Sequence, residues 1–228
     1  MAVRCAYSYH GGMTVDASAR LLVGARGYTH RNWWPQLYPD ELPAEWRFIF
    51  YSHRHPAILM PARAWAYKPE QLSFWQEEAP PNFRMVLEIP GDGLERLMLA
   101  GPLPQPLIAG CIVRVSRLTK GHRVQLAVLA HTMPVAVDFR IHTPGCADGL
   151  STMGVGVCGR PAQGLSPVGP FAVSLVGKAD RPLLGKAVQE LLRVPAANGR
   201  ALFFYEPQTA IKWVAEAQLL VNLLAGSL

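Results

Sequence analysis

The chain has 228 residues, 50% of them hydrophobic and only 17% charged. That composition suits one well-buried domain and excludes a disordered or low-complexity chain. Twenty-two Lys and Arg outnumber 16 Asp and Glu, for a net charge of +6; the cations are dispersed, so the balance reads as a mildly basic surface rather than a nucleic-acid footprint.

No stretch reaches the ~18 unbroken apolar residues of a membrane span. The four cysteines, Cys5, Cys111, Cys146 and Cys158, show no C-x-x-C spacing. Reduced structural thiols and a cytoplasmic protein are expected. Residues 1–19 read as an extension of small and polar residues lacking the apolar core of a secretory leader. Residues 20–228 read as a single domain.

Within it, Arg20 to Gly24 is a short apolar run ending at glycine and predicts a buried strand. Residues 25–43 carry Pro35, Pro39 and Pro43 and predict a loop, with Tyr28, Trp33, Trp34 and Tyr38 needing a surface to pack on. A helix is expected over 44–54, a strand from Ala57 to Met60, and a helix from Lys68 to Glu78 stopped by Pro80 and Pro81. Phe83 to Ile89 is the next strand, followed by strands near 111–116, 124–129 and 135–139. Residues 143–170 are dense in Gly and Pro and predict loop with a short strand near 153–157. A strand over Phe171–Val176, an amphipathic helix over 181–193, a strand over Ala201–Tyr205 and a helix over 207–224 complete the chain. Apolar strands alternating with helices, with no polar outer face, predict a mostly parallel α/β sheet covered on both sides. A closed barrel and an open doubly wound sheet fit equally well.

Several motifs occur in an order that resembles the YecE-like family, the domain of unknown function 72. Gly24-Ala-Arg-Gly27-Tyr28 is similar to that family's opening Gly-Thr-Ser-Gly-Trp, with Trp33 and Leu37-Tyr38-Pro39 at the following spacing. Pro80-Pro81-Asn82-Phe83-Arg84-Met85-Val86-Leu87-Glu88-Ile89-Pro90 resembles its Pro-Pro-x-Phe-Arg-Phe-x-Val-Lys-x-Pro, and Val137-Asp138-Phe139-Arg140 its Val-Glu-Phe-Arg. Phe171 to Gly177 and Phe203-Phe204-Tyr205 resemble two late strands. The likeness spans about residues 20–224. It implies a TIM-barrel-like (β/α) fold whose ligand face lies at the strand ends. The middle of the chain is shorter than the family pattern, which implies that one or two helices are missing or reduced.

The departures are as informative. The family's strand Glu is Leu59 and its Asn is Pro61; its Lys is Glu88; the Arg and His before the late glycine are Ser174 and Val176; and the closing Asn is replaced within Tyr205-Glu206-Pro207. The comparison implies that an interior carboxylate and its partner cations are removed together, a change that spares the chain an unpaired buried charge.

Among candidate sites, Asp138 and Arg140 stand at i and i+2, share one face of a strand and predict a ligand-binding or structural ion pair. Gly24, Arg26, Gly27 and Tyr28 are the expected ligand-binding turn. Trp33 and Trp34, in a loop that also holds Arg26, His30 and Arg31, read as a lid over a barrel mouth, next as a protein interface, and last as a stacking platform for nucleic acid. His53 and His55 lie two apart but no H-x-x-x-H or H-E-x-x-H occurs, so no metal site is expected. Gly154-x-Gly156-x-x-Gly159 matches the dinucleotide pattern, yet Pro161, Gly164 and Pro167 follow where a phosphate-binding helix is required. Ser151 and Ser166 lack a nucleophile elbow.

The sequence thus points away from catalysis and towards a barrel acting as a protein-interaction or ligand-binding scaffold, without cofactor or membrane. The alternatives are an enzyme with an altered pocket acting on an anionic small molecule or nucleic acid, in the manner of a metal-dependent phosphodiesterase, or a nucleic-acid-binding protein.

Overall fold

The structure is a computed structural model and describes residues 21–33, 36–65, 69–99, 103–104, 106–141 and 145–225. The 1–19 extension and Trp34 lie outside the described residues. Eight parallel strands run in the order β6-β5-β4-β3-β2-β1-β8-β7. They are β1 (Leu22–Arg26), β2 (Ala57–Met60), β3 (Arg84–Pro90), β4 (Ile108–Val115), β5 (Val135–Phe139), β6 (Val155–Val157), β7 (Ala172–Val176) and β8 (Arg200–Phe204).

The two edges of that sheet, β6 and β7, meet. Gly159, just past β6, donates its N–H to the Val173 carbonyl (2.8 Å) and accepts from the Leu175 N–H (3.0 Å). A Cβ at residue 159 would stand 2.5 Å from the Pro167 ring, so the seam needs glycine there. The sheet is a nearly closed barrel, which decides between the two architectures the periodicity allowed.

Helices cover the outside: α1 (Arg47–Arg54), α2 (Ala62–Trp65), α3 (Pro69–Glu78), α4 (Leu94–Leu99), α5 (Lys120–Ala130), α6 (Arg181–Arg193) and α7 (Ala210–Ala225). None among the described residues is long and apolar enough to cross a membrane. The described parts of the β5–β6 and β6–β7 connections hold only the 3-10 turns Ser151–Met153 and Pro161–Gln163. Among the described residues these two connections carry no α-helix.

Strand alternation sorts the apolar side chains into two layers. Val23, Ile58, Leu87, Val113 and Val137 pack outward against the helices. Leu59, Val86, Ile112, Val173, Leu175 and Phe203 point inward and fill the barrel. Bulky Phe171 and Phe203 share that interior with Ala57, Ala136 and Ala201. Gly24 belongs to the same economy of space, because a Cβ there would lie 2.2 Å from the Ala57 carbonyl oxygen.

One element departs from expectation. Residues 124–129, read as a strand, lie within α5. Their run of apolar and β-branched residues suits either structure, and the upstream cap decides. Thr119 Oγ1 accepts from the His122 N–H (3.1 Å) while the Thr119 N–H donates to His122 Nδ1 (3.3 Å), a reciprocal capping box that starts the helix. Leu126 and Leu129 then face the core while Val124 and Val128 face solvent. The stretch Leu94–Leu99, to which periodicity gives no element, forms α4 with Leu94 and Leu97 buried.

Candidate functional site at the barrel mouth

Four strands end in the same way: an apolar run with one charged residue at or near its last inward position. These are Arg26 on β1, Glu88 on β3, Arg114 on β4 and Asp138 on β5. Arg160, three residues past β6, continues the pattern. Because all strands are parallel, these side chains converge on the C-terminal rim of the barrel.

There they form an alternating chain of ion pairs. Arg26 Nε and Nη2 donate to the two Glu88 oxygens (2.6 and 3.1 Å). Arg114 bridges both carboxylates, Nη1 to Glu88 (2.6 Å) and Nε to Asp138 (3.0 Å). Arg160 clamps Asp138 through Nε and Nη2 (3.2, 2.7 and 2.9 Å). Its guanidinium also lies 5.9 Å from the centre of the Tyr205 ring. Glu88 and Asp138 keep only 7% and 1% of their side-chain surface open, whereas Arg26, Arg114 and Arg160 keep 28%, 30% and 14%. The carboxylates are therefore covered and the guanidiniums face the opening. Three cations against two anions leave one net positive charge in this set.

Burial alone would push the Glu88 carboxyl up, but hydrogen bonds and charge from Arg26 and Arg114 outweigh it and hold the group below its ordinary range. Arg114 answers in kind: burial opposes its charge, and Glu88 with Asp138 more than restores it. Beside the arginines lies a cavity of about 110 Å³ lined by Arg26, Leu59, Glu88, Ile112, Arg114, Arg160, Leu175 and Tyr205.

The sequence-predicted residues divide sharply against this geometry. Arg26 and Asp138 are in the rim. Arg140 is not Asp138's partner: β5 ends at Phe139, Arg140 lies past it in an exposed bend, and Arg114 and Arg160 occupy both Asp138 oxygens. Gly27 has φ +77° and donates its N–H to the Leu59 carbonyl, turning the chain just after β1. Tyr28 packs edge-on against Phe48 and Trp75. Trp33 is 1% exposed, with its indole N–H donating to the Pro207 carbonyl and its ring stacked on Tyr51, so its side chain presents no surface to a partner.

The expected loss of interior charge is likewise corrected. Glu88, Arg114 and Arg160 supply a carboxylate and two cations that motif comparison did not assemble. Ser174 and Val176 alternate with the inward Val173 and Leu175 and so face the helices, where their identity bears on packing rather than on the mouth. Gly156 and Gly159, from the glycine-rich pattern, belong to β6 and the seam. Among the described residues no three His, Cys, Asp or Glu side chains converge as a metal site requires.

No family model and no curated protein matches the chain. Solved structures do. A DUF72 family protein of Thermotoga maritima superposes with a TM-score of 0.66 at 11% identity, covering 88% of this chain and 99% of that one. The fold is that of the DUF72 family. A second DUF72 protein, from Enterococcus faecalis, gives a TM-score of 0.59 at 12% identity over 89% and 98% of the two chains. The DUF72 barrel is thus present nearly whole. The fold is the one the motif order implied, while identities this low carry no residue roles with them.

Proposed function

We propose that this DUF72-type barrel binds a small anionic molecule at its mouth and does not transform it. The observation that carries this reading is the rim itself, where three guanidiniums with excess positive charge border a cavity. Among the described residues Arg26 Nη1 and Arg114 Nη2 carry no hydrogen bond, which leaves directed donors for a carboxylate or phosphate oxygen.

The absence of a transforming group among the lining residues supports binding over catalysis. Glu88 is held ionised by two arginines, which makes it a poor proton acceptor near neutral pH. Tyr205 is the only other lining side chain with an ionisable proton besides the arginines. Burial of Trp33 takes that side chain out of any protein interface at the aromatic loop.

Titrating the intact protein with small anions at low salt, followed through the arginine Nε–Hε signals by NMR, tests the proposal. Saturable shifts are expected, with affinity at least tenfold lower in Arg160→Gln and unchanged in Arg140→Gln. A wild-type protein that binds no anion would overturn it.

A further inference from the structure

The cavity is chemically divided, and the division narrows the ligand class. We infer that the preferred ligand is a short aliphatic monocarboxylate, seated with its carboxylate against the rim arginines and its hydrocarbon end inside the barrel; this rests on the anion-binding reading above.

Charge is the first argument. The rim set carries one net positive charge, so a monoanion neutralises it. A dianion would bring a second negative charge towards Glu88, which also lines the cavity. The inner wall is the second. Below the rim the cavity is bounded by Leu59, Ile112 and Leu175, all aliphatic and all part of the barrel's inner core. These three side chains offer no hydrogen bond to a hydroxyl or a second carboxylate, so a polar group seated against them, away from the Tyr205 hydroxyl at the rim, would lose its water without compensation. Size is the third. A volume of about 110 Å³ corresponds to roughly four waters at ~30 Å³ each, room for a carboxylate bearing a few carbons.

The test is an NMR titration of the intact protein with acetate, propionate, butyrate, butyramide and inorganic phosphate, read from arginine Nε–Hε and leucine methyl signals. Affinity is expected to rise about fourfold per methylene from acetate to butyrate, with Leu59 and Leu175 methyl shifts appearing only for the longer acids and no binding of butyramide. Phosphate binding as tightly as butyrate, or affinity independent of chain length, would overturn the monocarboxylate inference and leave the anion site standing. Failure of every anion, or butyramide binding as well as butyrate, would remove both. Leu175→Asn is expected to abolish the advantage of butyrate over acetate; the wild-type series decides the matter without relying on that variant.

Discussion

The loop after β1 and the rim beside it draw on similar residues, aromatics and arginines, and use them in opposite ways. In the loop Tyr28, Trp33 and Tyr38 turn inward onto Phe48, Tyr51 and Phe50, and the exposed-looking aromatic run becomes core. At the rim, charged residues embedded in the most apolar runs of the chain become the polar surface of the mouth. Residue type misleads in both places; position relative to a strand end decides. A loop aromatic is free to fold back onto a helix, whereas a strand residue has its direction set by alternation.

The contrast breaks first at Trp33. Trp33→Ala is expected to cost about 4 kcal/mol in chemical denaturation, the scale for emptying a large buried site, with anion affinity in the surviving folded fraction unchanged. Loss of binding at full stability would return the loop to function. Next comes Asp138→Ala, which leaves Arg114 and Arg160 without their shared carboxylate. A loss of about 3 kcal/mol is expected from breaking a covered ion pair, together with altered anion binding, since the rim arginines lose their anchor.

A third, smaller effect depends on pH. His55 is buried against Tyr51, neither ring nitrogen has a hydrogen-bond partner among the described residues, and burial, aided by Arg54, lowers its pKa to about 4. The unfolded chain protonates this imidazole near pH 6.5 and the folded one only near 4, so its neutral form favours folding above pH 6.5. Stability is expected to fall by roughly 2 kcal/mol between those limits and the slope to flatten in His55→Phe; equal slopes in the two proteins would remove His55 as the cause. Smallest of all, Arg140→Ala should stay within about 0.5 kcal/mol of wild type, as a solvated residue past the end of β5 should.

Much of the barrel was legible because its signals are local. The helix over 181–193 announces itself by amphipathic spacing, and the strands from Ala57 and Phe171 by short apolar runs between turns. The 124–129 segment is ambiguous for a local reason too: its cap, Thr119 with His122, lies outside the apolar run. Two of the five rim residues, Arg114 and Arg160, escape for a non-local one. Arg114 and Arg160 are 46 residues apart and meet only because β4, β5 and β6 lie side by side. A signal was nevertheless present: Arg26, Glu88, Arg114 and Asp138 each interrupt an apolar run at its C-terminal end, where a parallel barrel gathers its ligand face. Taken motif by motif Glu88 is a substitution, whereas in the fold it joins Arg26 to Arg114.

The alternation that builds the rim also bears on how the barrel assembles. Its strands are short, apolar and much alike, and such strands can align in more than one way. Arg26, Glu88, Arg114 and Asp138 each occupy the inward phase of their strand, so displacing one of these strands by a single residue would drive its charge into the helix-packed layer and leave its partners unpaired. Misaligned barrels are penalised at several joints at once. The chain of arginines and carboxylates therefore serves as an alignment key, admitting one pairing of interchangeable-looking strands and rejecting its neighbours.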